Sequence, residues 1–351
     1  MNTTKNSLSK GYVMEELLRN YFLKTGYYVV RGVPFIYEGF DITDIDLWLY
    51  GRNSSVSREI TIVDAKNKKT PQAIERIFWT QGLKIATNAT NAIVATTDKR
   101  VEVKSFGKKL NTLVLDGVFL KKLANSEDPL VNRLSDEDFI AKIKNYSLNK
   151  LDGDWLGRIT FSKSILIKSL NFDGCIEWLG QGKFFLEQSI VKGIHQETAL
   201  RCLYLVCSFL TIALDYCMKE LSFVEQNERS EFIKNGFTYG TRGSTGFTKI
   251  LNVAMGLVEE HVSNGHNISV KVRKSVENQL ASLNSSILAE FFSKAEVARS
   301  LFNVSKEFEN LAMARNFTHH NSSSVELKSV LFCLLDYWGI DRVLFSNASI
   351  L

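Results

Sequence analysis

The stretch Glu59-Ile60-Thr61-Ile62-Val63-Asp64-Ala65-Lys66-Asn67-Lys68-Lys69 decides how the first part of this chain folds. Its apolar run is short and rich in Ile, Val and Thr, the composition of a strand rather than a helix. Side chains alternate along a strand, so Asp64 and Lys66 emerge on one face where the apolar run meets a basic loop. A carboxylate and an ammonium side by side at a strand end suit a metal-binding hydrolase.

An acid-x-Lys triplet alone carries little, because the chain holds two more, Glu102-Val103-Lys104 and Glu326-Leu327-Lys328. Its company sets the first apart. Eighteen residues upstream of Asp64, Asp46 lies in a second candidate strand, residues 43–50. There Ile45, Leu47 and Leu49 share one face and Asp44, Asp46 and Trp48 the other. Glu15 lies on an amphipathic helix over residues 12–25 whose apolar positions include Met14, Leu17, Leu18, Tyr21 and Phe22. Helical spacing aligns Glu15 with Leu18 and Phe22, towards the core, and Glu16 with Arg19 and Asn20. Glu15 is therefore the preferred acid.

Outward from this stretch, residues 27–33 read as a strand and 34–43 as a loop containing Pro34 and Gly39. A helix opens at Pro71 and runs through Ile74, Ile77, Phe78 and Gln81. A buried-type strand over 91–97, a basic helix over 99–109 and a short strand over 112–115 follow. The order α-β-β-β-α-β-α-β predicts an α/β domain with a mixed sheet over residues 1–125. Ser126-Glu127-Asp128-Pro129 reads as a turn and a boundary. Beyond it, helical periodicity covers about 136–148, 184–193, 196–224, 246–263, 268–293, 294–314 and 324–338, with a polar, Gly-rich loop at 225–245. Residues 126–351 are thus expected to form an all-α domain.

The chain has 351 residues and a net charge of +5. That charge is unevenly spread. Residues 1–125 hold 19 Lys and Arg against 12 Asp and Glu, a net of +7, and the remainder is at −2. The basic excess accompanies the acidic cluster, as a protein that meets a polyanion requires. Five cysteines without CxxC spacing read as reduced core residues. The apolar run Cys202 to Leu214 is too short to cross a bilayer, and a cytoplasmic protein with no membrane partner is expected. His195, His261 and His266 show no zinc spacing. Gly240-Thr241-Arg242-Gly243-Ser244-Thr245-Gly246 lacks the Gly-Lys-Ser/Thr ending of a phosphate loop.

Glu15, Asp46 and Asp64-Ala65-Lys66, in this order, resemble the PD-(D/E)XK nuclease superfamily, the restriction-endonuclease-like fold. The stretch from Gly11 through Glu15 to Gly26-Tyr27 resembles the opening helix of its restriction-enzyme and Holliday-junction-resolvase branches. The resemblance covers about the first 120 residues. Asp64 stands where Glu is frequent, no Pro precedes Asp46, and Asp44 competes with Asp46 on the same strand face. The resemblance implies an αβββαβ core and a Mg²⁺ (or Mn²⁺) ion held by Glu15, Asp46 and Asp64. Three carboxylates roughly 4 Å apart repel by about 1–4 kcal/mol per pair, a cost that a divalent ion offsets. Lys66 would act as base or electrostatic aid, and Gln81 as a polar helper.

Lys68, Lys69, Arg76 and Lys84 would contact phosphates. The implied activity is endonucleolytic hydrolysis of DNA in restriction or antiviral defence. The helical half would sense a partner protein or form a homodimer.

Two other classes of function compete. Arg315 and His320 have an Arg-x4-His spacing that resembles HEPN domains, which implies a metal-independent ribonuclease with Arg315 on phosphate and His320 moving protons. A non-catalytic nucleic-acid-binding module would keep the fold without turnover.

Overall fold

The computed structural model describes residues 10–67, 70, 72–125, 132–145, 150–191 and 193–348. They form two compact units, Met1–Lys168 with Glu309–Thr318, and Ser169–Phe308 with His319–Leu351.

The first unit opens with α1 (Lys10–Lys24), β1 (Tyr28–Tyr37), β2 (Phe40–Arg52) and β3 (Arg58–Lys66). It continues through α2 (Ala73–Ala86), β4 (Asn91–Thr96), α3 (Val101–Lys109), β5 (Thr112–Leu115), α4 (Gly117–Ala124), α5 (Asp136–Asn145) and α6 (Trp155–Lys168). One five-stranded sheet has the order β1-β2-β3-β4-β5. Its first three strands are antiparallel neighbours, while β3, β4 and β5 run parallel. The mixed α/β sheet read from the sequence is present, followed by a mostly helical region.

Strand alternation sorts the core into two layers. Leu47, Leu49, Val63, Ala65, Ile93 and Ala95 pack against Met14, Leu18 and Phe22 of α1 and Leu120 of α4. Val94 and Val114 pack on Ala73 and Ile77 of α2 and Val103 of α3. Parallel strands covered on both faces need continuous apolar runs, and every residue of β4 after Asn91 is buried. Each fully buried Leu or Ile contributes about 2–3 kcal/mol.

Four local expectations change. Residues 34–43 are not a loop. They extend β1 and β2 into a hairpin whose turn is Glu38 (φ 47°) and Gly39 (φ 86°), both left-handed, as a tight hairpin turn requires. Pro34, which has no N–H to give a ladder, is tolerated inside β1 because β1 is an edge strand. Residues 225–245, expected to be a loop, contain α9 (Gln226–Tyr239). Its Gly236 lies against Phe172, and a Cβ there would meet the ring at 2.5 Å.

The stretch 268–293 breaks into α11 (Gly265–Ala281) and α12 (Ser285–Phe292). Lastly, the change of pattern at residue 125 falls inside the first unit, which runs on to Lys168. Buried ion pairs tie the extra helices in: Arg19 to Asp136 at 2.6 Å, Arg31 to Glu137 and Lys163 to Asp136 at 2.5 Å each.

The second unit is helical, with α7 (Phe172–Val191) packed on α8 (Gln196–Met218), then α9 and α10 (Gly243–His261), α11 and α12. Most of α13 (Ala295–Met313), with α14 (Val325–Trp338) and α15 (Arg342–Ala348), completes it. Helix α8 lies in the only described span long and apolar enough to cross a membrane, yet 89% of that window is buried within the protein. It is a core helix here.

Candidate active site

At the carboxyl end of β3 the strand pairing of β2 with β3, Leu47 opposite Val63, brings Asp46 alongside Asp64. Asp46 accepts from the Ala65 N–H at 2.7 Å and from Lys66 Nζ at 3.3 Å. The same Nζ lies 3.9 Å from Asp64 Oδ1. Two aspartates 18 residues apart thus share one lysine. Asp44 is exposed, paired in register with Pro34, and makes no contact with this pair among the described residues.

Asp64 is held further by Arg76 of α2, whose Nε donates to Oδ2 at 2.8 Å and whose Nη2 donates to Oδ1. Arg76, expected to contact phosphate, is in this structure the bidentate partner of a candidate metal ligand.

Glu15 accepts from Arg31 Nε at 2.7 Å and feels the charges of Asp46 and Lys66. The expected orientation of α1 is reversed at this point: Glu16, at 1% exposure, is the more buried acid, against 14% for Glu15. Glu16 sits between Arg19 and Arg31, at 2.5 Å from each. Helical spacing alone treats Arg19 as an outward residue. Its guanidinium is instead buried among Glu16, Asp136 and the Leu134 carbonyl.

The electrostatics separate these groups. Burial pushes the Asp46 carboxyl above the usual carboxylate range, only partly opposed by Lys66 and the Ala65 N–H. Burial also raises Glu15, against the pull of Arg31. By contrast the Lys163, Arg19 and Arg31 cations hold the buried Asp136 far below its ordinary value. Asp136 is fully compensated. Asp46 and Glu15 are not, and added positive charge at this spot would be favourable.

That demand is the basis for testing a divalent ion. Among the described residues no group of three His, Cys, Asp or Glu side chains is close enough to hold one. Mg²⁺, however, keeps several waters and is commonly held by one or two carboxylates together with substrate phosphate. Asp46 and Asp64 are two such hard-oxygen donors, so the pair fits the ion in chemistry and number. Glu15 feels the charge of Asp46 but is tethered to Arg31 and completes no group of three with the pair.

The remaining sequence candidates do not gather here. Gln81 donates to Thr112 Oγ1 at 2.6 Å, at the amino end of β5, away from the strand end that carries Lys66. Lys84 is half-buried on α2, and Lys68 and Lys69 lie outside the described residues. Arg31 was missed although it carried a signal, a lone cation inside the apolar run 27–33. A charge on a buried strand calls for buried acids.

Arg315 and His320 fall in different units. Arg315 donates to the Arg133 carbonyl at 3.2 Å and lies 3.7 Å from Asp138. His320 has no exposed surface. Its Nδ1 meets Tyr204 Oη at 2.9 Å, its ring stacks on Phe345 at 5.1 Å, and among the described residues its Nε2 has no hydrogen-bond partner.

Comparison with protein-family models, with curated proteins and with solved structures returned no match.

Proposed function

We propose that the first unit hydrolyses phosphodiester bonds of DNA in a reaction dependent on Mg²⁺ or Mn²⁺. The observation that carries this reading is the convergence of Asp46 and Asp64 on Lys66 at the end of β3. The net charge of +7 over residues 1–125 supports a polyanionic substrate.

Asp46 and Asp64 would hold the ion, with Glu15 acting on it through its charge from the Arg31 pair. A bound divalent ion supplies Lewis acidity, lowering the pKa of an attacking water and offsetting charge on the phosphoryl oxygens. The protein's own residues do the rest. Lys66, 35% exposed and anchored by Asp46, would orient a water and offset the negative charge on the phosphoryl oxygens. The water oxygen bonds to phosphorus and one P–O ester bond breaks. The water's proton leaves to base, the departing oxygen gains a proton, and the products are a phosphate monoester and a hydroxyl end. Arg76, on Trp79 at 5.7 Å as well as on Asp64, holds the carboxylate in place against α2.

The first test incubates the protein with plasmid, linear DNA, single-stranded DNA and RNA, each with Mg²⁺, Mn²⁺ or EDTA, beside Asp64→Ala. DNA cleavage that needs metal and disappears in Asp64→Ala is the expected result. Unimpaired cleavage by Asp64→Ala would overturn the mechanism. Cleavage of RNA in EDTA, lost in His320→Ala, would replace it with the ribonuclease reading. A role in restriction or antiviral defence belongs to the same proposal, and protection of cells from incoming DNA, lost in Asp64→Ala, is its test.

A further inference from the structure

We propose that a cavity at the carboxyl ends of β3 and β4, walled by the residues that follow Lys66 and Thr96, takes one unpaired nucleotide of the strand being cut, so that the preferred substrates carry an unpaired base next to the cleaved bond. The inference rests on the nuclease reading and names its substrate class. The cavity has a volume of about 390 Å³, within the roughly 300–1,000 Å³ of small-ligand sites.

Its position follows from three chain segments that lead out of the site. Met14, in its wall, precedes Glu15, and Asn67 follows Lys66. Thr97 follows Thr96, which pairs in register with Lys66. The cavity therefore opens at the carboxyl ends of β3 and β4, where open α/β sheets receive ligands.

Its chemistry is that of a nucleotide. Val13, Met14 and Leu17 of α1 and Leu120 of α4 supply apolar walls for the face of a base. Lys99 and Lys121 stand exposed at the rim, and among the described residues neither forms an ion pair. Apolar surface for the base and free cations for its phosphates are the two elements of single-strand recognition. Gly117 permits the enclosure. A Cβ there would lie 2.3 Å from the Thr97 carbonyl oxygen, so glycine alone lets α4 close against the loop after β4.

A stacked duplex has no base to place between α1 and α4. Extruding a paired base costs a few kcal/mol, and least where the base is mismatched or already unpaired. That difference is the source of the expected selectivity.

The test measures binding of the full chain, with Ca²⁺ present, to two labelled duplexes. One contains a single unpaired 2-aminopurine, and the other is fully paired. The expected result is about tenfold tighter binding of the first, with a rise in 2-aminopurine fluorescence as the base leaves the stack for walls that, among the described residues, contain no aromatic ring. Val13→Trp, at a position already 41% exposed, fills the cavity without burdening the fold. It should remove both the preference and the fluorescence rise while keeping affinity for the paired duplex. Lys121→Gln should weaken binding to both.

Equal affinities and no fluorescence change, in protein whose DNA cleavage depends on Asp64, would overturn the cavity and leave the nuclease standing. A preference sensitive to Val13→Trp, in protein that cuts nothing in any metal, would support the cavity and overturn the nuclease.

Discussion

Two short polar motifs in this chain meet opposite fates. Asp64 and Lys66 stand at the carboxyl end of β3, the central strand of the sheet, where Lys66 is 35% exposed and Asp46 joins them from β2. Arg315 and His320, equally suggestive as letters, are divided between two units, and the histidine is sealed beneath Tyr204 and Phe345. The difference is one of access and compensation. A site for chemistry needs polar groups that reach solvent and whose charge is incompletely balanced, as Asp46 is. A histidine without exposed surface acts through packing.

The comparison breaks if the sealed motif proves catalytic or the open one inert. The largest expected effect is on the open one. Asp64→Ala should lower metal-dependent DNA cleavage by at least about 10²–10³-fold, the scale for losing a major electrostatic element of a site. Circular dichroism should be unchanged.

His320→Ala should leave DNA cleavage unaffected but destabilise the helical unit by about 2–4 kcal/mol, since it empties a buried position. The midpoint of the urea transition reads this effect.

Acid titration sharpens the contrast. Burial drives the His320 pKa down to about 3, whereas an unfolded histidine titrates near about 6.5. Between those values the unfolded chain binds the extra proton, so the contribution is intact above about pH 6.5 and is lost as pH falls. The cost is about 1.4 kcal/mol per pH unit, or about 2 kcal/mol at pH 5. Stability curves of the protein and His320→Phe, measured between these pH values, should converge as the solution is acidified. Parallel curves would refute the assignment.

The smallest effect concerns Arg315, which is 44% exposed beside the equally exposed Asp138. Arg315→Ala should cost less than about 1 kcal/mol, as exposed ion pairs generally do. Any large loss of nuclease or ribonuclease activity in that variant would count against this description of the motif.

Much of the sheet was legible because its signals are short-range. Alternation over residues 59–66 placed Asp64 and Lys66 on one face, and the apolar run 91–97 announced a strand covered on both sides. Reading failed where a neighbour overrides a local rule. Pro34 suits a loop unless its strand is an edge, and Gly236 suits a loop unless an aromatic ring occupies the space of its missing side chain. The choice between Glu15 and Glu16 failed for a related reason. Helical spacing ranks faces by their apolar residues, but Glu16 is buried by cations from Arg19 and Arg31, a face that hydrophobicity does not mark.

By itself, the sequence determined the strand that presents an acid and a lysine together, the order of elements around it and the basic excess of residues 1–125. These depend on backbone periodicity and composition, which act over a few residues or none. Only the tertiary structure decided that Arg76 holds Asp64, that Arg31 joins Glu15 to Glu137 of α5, and that His320 is closed to solvent. It also decided that the first unit continues past residue 125 to Lys168, the expected boundary at residues 126–129 itself lying outside the described residues. Those outcomes are set by charges and rings that lie 12 to 116 residues apart. Such pairs become neighbours only when helices and strands pack, and the energy that selects them is the desolvation of each group against the partner it finds.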